Sequence, residues 1–135
     1  MILLLDIGNT NTNVGLCKDG QIIRHRDIPT GQWFETGMKP LERFCGRLDL
    51  RGASMCSVVP KATAMAERFV TSHLNVPLLR LTHTTVRGIG VDYPKPATIG
   101  ADRLANAMAA HELYGSPVVV VDFGTAVTFD VVNRK

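Results

Sequence analysis

The chain has 135 residues, enough for one domain or for one domain and part of a second. Apolar residues make up 45% and charged residues 20%, an ordinary globular balance that excludes a disordered tail. The net charge of +3 is scattered along the chain, so the concentrated basic stripe of a nucleic-acid binder is missing and no nucleic-acid partner is expected.

Met1–Leu5 is a continuous apolar run that predicts a strand buried on both faces. The polar stretch Asp6-Ile7-Gly8-Asn9-Thr10-Asn11-Thr12-Asn13 follows and reads as a turn. A strand near Val14–Cys17, the dipeptide Asp19-Gly20 and a return strand over Gln21–Ile28 make a hairpin, because both turn residues must tolerate positive φ. Pro29–Pro40 reads as a loop, with Trp33 and Phe34 packed over the edge of the core. A helix is expected over Pro40–Leu48 and a buried strand over Ala53–Val59, stopped by Pro60. Ala62, Met65, Ala66, Phe69, Val70 and Leu74 then recur with the spacing of one helical face turned inward. Val76–Leu81 reads as a strand.

Thr82–Ile99 holds Gly88, Gly90, Pro94 and Pro96 and is too long for an idle connector. Gly100–Tyr114 is Ala-rich and helical, with Gly115 as its stop. Four consecutive valines, Val118–Val121, predict a fully buried strand, followed by Asp122-Phe123-Gly124-Thr125 and another strand over Ala126–Val132. The apolar runs are too short to cross a bilayer, so no membrane partner is expected, and no basic segment precedes a signal-like stretch, so secretion is not expected. Cys17, Cys45 and Cys56 are odd in number and lack CxxC spacing, which favours reduced cytoplasmic thiols over a disulfide or zinc scaffold.

One short repeat carries chemistry. Leu3-Leu4-Leu5-Asp6-Ile7-Gly8-Asn9-Thr10 and Val119-Val120-Val121-Asp122-Phe123-Gly124-Thr125 each give a buried strand, then Asp, an apolar residue, Gly and a small polar side chain. Two copies of one strand-turn-strand unit suggest two related halves with a ligand between the turns. Gly8 lets backbone N–H groups approach an anion, and Asn9, Thr10, Asn11, Thr12 and Thr125 offer neutral donors. Asp6 and Asp122 would repel phosphate, so holding a hydrated cation or orienting water is the work left to them. The alternative for a single copy is a plain turn sequence.

Gly100-Ala101-Asp102-Arg103 opens the Ala-rich helix. Asp102 there complements the helix dipole and caps free N–H groups. Arg103 opposes that dipole and so asks for an anionic partner, which a carboxylate-bearing substrate would supply; Asp102 could then accept a hydroxyl proton from the same molecule. No GxxxxGK[ST], HExxH or GxSxG occurs, and His25, His73, His83 and His111 lack metal-ligand spacing.

Asp6-Ile7-Gly8-Asn9-Thr10-Asn11, the loop Gly90-Val91-Asp92-Tyr93 leading to Gly100-Ala101-Asp102-Arg103-Leu104-Ala105-Asn106, and Asp122-Phe123-Gly124-Thr125-Ala126-Val127-Thr128-Phe129-Asp130 resemble type III pantothenate kinase. The three motifs stand in the family's order over nearly the whole chain. The resemblance implies an α/β, ribonuclease-H-like (actin-like ATPase) domain over residues 1–116, with a mixed sheet and flanking helices. Residues 117–135 would be the first hairpin of a second, truncated domain of the same kind.

It implies that Asp6, Ile7, Gly8, Asn9, Thr10, Asn11, Thr12 and Asn13 line a phosphate loop for ATP, and that Thr125 contacts ATP from a second loop. Tyr93, Gly100, Ala101, Asp102 and Arg103 would hold pantothenate, with Arg103 near its carboxylate and Asp102 as general base for its primary hydroxyl. Asp122 would bind a monovalent cation, potassium or ammonium, and a divalent cation, magnesium, would accompany ATP. The implied assembly is a homodimer, and the implied reaction is ATP-dependent phosphorylation of pantothenate, the first step toward coenzyme A. Family members continue beyond Lys135, so the chain is expected to be an amino-terminal portion without turnover of its own. Two rivals stand beside this reading. One is a non-catalytic relative acting as an accessory transcription factor; the other is a phosphatase of the same superfamily acting on phosphoanhydrides, against which Tyr93 and the Gly100–Arg103 segment speak.

Overall fold

The computed structural model describes residues 1–124 and 126–134, and their contacts divide the chain into two compact units, Met1–Arg80 and Leu81–Lys135.

The first unit runs β1 (Ile2–Ile7), β2 (Asn11–Lys18), β3 (Gln21–Pro29), α1 (Thr30–Thr36), α2 (Lys39–Cys45), β4 (Gly52–Ser57), α3 (Pro60–Arg68) and β5 (Leu78–Arg80). Its five strands form one sheet in the order β3-β2-β1-β4-β5. β1, β2 and β3 are antiparallel neighbours, whereas β4 lies parallel to β1 and β5 parallel to β4. The mixed pattern follows from the connections: tight turns join the first three strands, and helices carry the chain back before β4 and β5. The β2–β3 turn is Asp19-Gly20, with φ of 51° and 80°, as that dipeptide predicts.

Alternation along β1 buries Leu3, Leu5 and Ile7, and β2 adds Val14 and Leu16 to the same core. The helices answer with Trp33, Leu41, Phe44, Ala62, Ala66, Phe69 and Val70. Each large side chain so buried contributes roughly 1.5–3 kcal/mol. Met65 and Leu74 pack against this core from its margin, and α3 continues as a π-helical turn over Phe69–His73, so the inward helical face expected from the spacing is present.

The first unit differs from the sequence reading in several places. The stretch 29–40 is not a loop: α1 occupies Thr30–Thr36, and it buries Thr30 and Trp33, one turn apart. Trp33 is wholly inside the core rather than over its edge, whereas Phe34 is exposed under the Lys61 ammonium, 4.5 Å from its ring centroid. Gly31 and Gly37 hide this helix from propensity reasoning, and burial of the indole supplies the stability that propensity lacks. The β4 and β5 strands are also shorter than expected, ending at Ser57 and spanning only Leu78–Arg80.

Cys45, Cys17 and Cys56 are free thiols. Burial pushes the Cys45 thiol up to about 11, with the nearby Arg24 guanidinium pulling slightly the other way. The reactive thiolate is therefore scarce at Cys45 near neutral pH. Iodoacetamide at pH near 8 is expected to spare Cys45 in the native chain and to reach it in denaturant. Peptide mass mapping checks this, and equally fast labelling in both states would contradict it.

In the second unit, the residues before the long helix are largely irregular, with one 3-10 turn at Pro96–Thr98. Helix α4 (Ala101–Tyr114) ends at Gly115 as expected, and β6 (Val118–Phe123) and β7 (Val127–Val132) form an antiparallel hairpin. α4 packs on both strands of that hairpin. The four valines are not a fully buried strand. Val119 and Val121 are exposed, on one face with Phe123, Val127, Phe129 and Val131, because α4 covers only the alternate side chains of the pleat.

Candidate functional site

The polar stretch 6–13 resolves into two strand ends and a short turn. β1 runs through Asp6 and Ile7, and β2 starts at Asn11, so only Gly8, Asn9 and Thr10 lie between them. The Gly8 N–H donates to the Asn11 carbonyl at 3.0 Å, and a Cβ at Gly8 would stand 2.9 Å from that same oxygen. Glycine is therefore required by the closeness of the turn. Ile7 and Thr12 face the core and are fully buried, so neither side chain is a solvent-facing contact, contrary to the donor role read for Thr12; the period-2 alternation of the two strands turns them inward. Asn9, Thr10, Asn11 and Asn13 are exposed.

Thr30, at the head of α1, holds this turn from the inside. Its Oγ1 donates to the Gly8 carbonyl at 2.7 Å, its N–H donates to the Thr10 carbonyl at 2.9 Å, and its hydroxyl lies 2.9 Å from Thr12 Oγ1. On the other face of the strands, Asp6 pairs in register with Asn13 and Cys56. Asn13 Nδ2 donates to Asp6 Oδ2 at 2.9 Å and the Cys56 thiol donates to Oδ1 at 3.3 Å, so both carboxylate oxygens are oriented.

The sequence repeat is a structural repeat. Leu5, Asp6 and Ile7 pair with Val14, Asn13 and Thr12; Val121, Asp122 and Phe123 pair with Phe129, Thr128 and Val127. The Gly8 N–H bonds the carbonyl three residues on, whereas the Gly124 N–H donates to the Ala126 carbonyl two residues on at 3.1 Å, so the strands repeat but the turn bonds differ. Asp122 Oδ2 accepts from Asn106 Nδ2 of α4 at 3.2 Å. Asn106 was not singled out as a site residue from the sequence, although it lies in the motif and one helical turn from Arg103. Thr125 lies outside the described residues. Among the described residues no group of three or more His, Cys, Asp or Glu side chains could enclose a metal. A cation at Asp122 would thus complete its shell with backbone oxygens, water or phosphate.

The second unit contains a cavity of about 740 Å³ lined in part by Tyr93, Arg103, Leu104, His111 and Asp130. Tyr93 and Arg103, both expected at a substrate, meet there; Gly100, Ala101 and Asp102 are not among the lining residues. Arg103 Nε and Nη2 both donate to Asp130 Oδ1, at 2.8 and 2.5 Å, and the guanidinium carbon lies 5.7 Å from the Tyr93 ring centroid. The hydrogen bond to Asp130 raises the Arg103 pKa above its ordinary value, against a smaller opposing effect of burial and with help from Tyr93. The anionic partner that Arg103 asks for is therefore supplied first by the chain itself. A guanidinium has five N–H donors, so its pairing with Asp130 does not exhaust it.

Asp130 Oδ2 is buried with no hydrogen-bond partner among the described residues. Leaving a buried charged acceptor unpaired is costly. Asp130 sits within the third motif, but nothing local in the sequence marks its role, because its partner stands 27 residues away. Asp102 Oδ1 accepts the Arg103 N–H at 2.8 Å, which orients the carboxylate at the start of α4. His111, read as a packed or surface residue, lines the cavity and pairs with Ser116, Nδ1 to Oγ 2.7 Å.

Comparison with known proteins identifies the family and the fold. A family model described as type III pantothenate kinase matches residues 2–135. A type III pantothenate kinase of Methylacidiphilum infernorum is 40% identical over 134 residues, covering 99% of this chain and 47% of the relative. One from Listeria innocua is 38% identical over 141 residues, covering 99% of this chain and 54% of the relative. The chain thus spans about half the length of the curated relatives it matches. The crystal structure of a ROK family protein from Streptococcus pneumoniae, in complex with sucrose, aligns with a TM-score of 0.53 at 18% identity, over 98% of this chain and 45% of that one. That likeness bears on the fold alone, and it agrees with the mixed sheet and flanking helices that the resemblance implied. None of the relatives named here is described as a transcription factor. The chain belongs to the type III pantothenate kinase family.

Proposed function

We propose that the whole protein transfers the γ-phosphoryl group of ATP to the primary hydroxyl of pantothenate. The observation that carries this reading is the cavity where Tyr93, Arg103 and Asp130 converge, which sets a tethered guanidinium in a lining of mixed polar and apolar groups. A small carboxylate with hydroxyl and amide groups suits it, because Arg103 offers its remaining donors to the carboxylate.

In this reading the Gly8-Asn9-Thr10 turn turns backbone N–H groups toward the phosphates of ATP, and Asn11 and Asn13 line its approach. Thr125 serves the second turn. Asp102, oriented by the Arg103 N–H, accepts the hydroxyl proton as the new O–P bond forms. Gly100 and Ala101 set the backbone that carries it. When bound, magnesium neutralises charge on the phosphates. Asp122, oriented by Asn106, holds potassium or ammonium. The proposal extends to a cytoplasmic homodimer and to a domain boundary near residue 116, in the segment between α4 and the β6–β7 hairpin.

A coupled ADP-release assay on the whole protein tests the reading. Release that requires pantothenate is expected; release indifferent to it would contradict the assignment. The cation has its own test. Potassium or ammonium is expected to support activity and sodium to substitute poorly, because a cation site selects by size and ligand number. Asp122→Asn is expected to flatten the potassium response and weaken ATP binding. An unchanged potassium titration in that variant would move the cation elsewhere, and a loss of melting temperature alone would leave Asp122 a turn residue.

A further inference from the structure

We propose that Thr30 is the positioning residue that sets which way the Gly8–Asn9 peptide faces, and so makes the first turn a donor to phosphate. This rests on the ATP reading above and names a residue outside the motifs that led to it.

Thr30 is fully buried and stands 22 residues from Gly8 in sequence. A hydroxyl has one proton. The Thr30 proton goes to the Gly8 carbonyl at 2.7 Å, so the 2.9 Å contact with Thr12 has Thr12 as donor. The side chains form a directed chain from Thr12 through Thr30 to the Gly8 carbonyl. The Thr30 N–H holds the Thr10 carbonyl in the same way at 2.9 Å. Two of the turn's carbonyls are therefore drawn toward Thr30.

A trans peptide is planar, with its N–H opposite its C=O. Drawing the Gly8 carbonyl inward points the Asn9 N–H the other way, on the side of the exposed Asn9 and Thr10. Glycine's wide φ/ψ range makes the opposite peptide orientation accessible. In that orientation a carbonyl oxygen would face the anion and repel it. Gly8 permits the close turn, and Thr30 selects its polarity. The buried hydroxyl pair thereby acts on the phosphates without touching them.

The test compares Thr30→Val with Thr30→Ser in the whole protein, reading equilibrium affinity for magnesium–ATP and for adenosine, which has no phosphates, by calorimetry. Thr30→Val is expected to bind ATP about tenfold more weakly, the equivalent of one buried hydrogen bond. Its adenosine affinity should be unchanged, and Thr30→Ser should stay within about twofold of the parent, since the donor is kept. Thr30→Ala removes the hydroxyl without placing a second methyl beside the Gly8 carbonyl, and serves equally if the valine variant does not fold. Parental ATP affinity without the hydroxyl would overturn the proposal. So would a parallel loss for ATP and adenosine, or a serine variant as weak as the valine one. A parent protein that binds no ATP would instead overturn the nucleotide assignment itself, and Thr30's role with it.

Discussion

Asp102→Asn in the whole protein is expected to lower kcat by about 100- to 10,000-fold while the KM for pantothenate changes little. Asparagine keeps the shape and can still accept the Arg103 N–H that Asp102 Oδ1 accepts at 2.8 Å. It cannot take a proton. Loss confined to kcat is the signature of an interaction made in the transition state. Arg103→Ala is expected to do the reverse and chiefly raise KM, since it removes the charge-assisted donors and strands the Asp130 carboxylate, whose Oδ2 already has no partner among the described residues. If Asp102 only complements the helix start, Asp102→Asn costs at most about 1 kcal/mol of stability and leaves kcat alone. Steady-state kinetics and melting temperature on both variants separate the two roles, and a near-normal kcat in Asp102→Asn would remove the general base from the account.

Gly8→Ala is expected to be the most damaging single-methyl change in the first turn. The added Cβ would stand 2.9 Å from the Asn11 carbonyl oxygen, a backbone atom that cannot swing away as a side-chain tip would. The turn must open, the Gly8 N–H bond to Asn11 is lost, and the Gly8 carbonyl leaves Thr30. A cost of roughly 1–3 kcal/mol in stability and a loss of ATP affinity on the order of tenfold or more are expected. The analogous Gly124→Ala should be milder, because a Cβ there would meet the Ala126 carbonyl oxygen at 3.7 Å, ordinary contact distance. Melting curves and ATP titrations on the pair check the ranking; equal effects at the two glycines would contradict the steric argument.

Local chemistry was legible in the sequence, and contacts between distant segments were not. Asp19-Gly20 announced its turn because two successive positive φ values favour those residue types. The Asp-x-Gly repeat announced two hairpins because strand and turn are encoded within ten residues; Asp6 pairs with Asn13 seven residues on and Asp122 with Thr128 six residues on, so the registers differ by one. Helix α1 was hidden, because Thr and Gly are poor helix formers and its stability comes from Trp33 inside the core. The exposure of Val119 and Val121 was hidden for a related reason: four valines report a strand, not what covers each face. At the candidate site, motif residues marked Arg103 and Asp122 but not their partners Asp130 and Asn106, and nothing local marked Thr30. Those pairings arise only when β7, α4 and α1 are folded against the motif strands and loops.

The most direct measurement incubates the whole protein with ATP, magnesium, potassium and pantothenate and identifies the products by mass spectrometry and phosphorus NMR. Pantothenate that gains one phosphoryl group on its primary hydroxyl, in step with ADP formed, is the predicted result. ATP consumed while pantothenate stays unmodified, or no consumption of ATP under these conditions, would contradict the account.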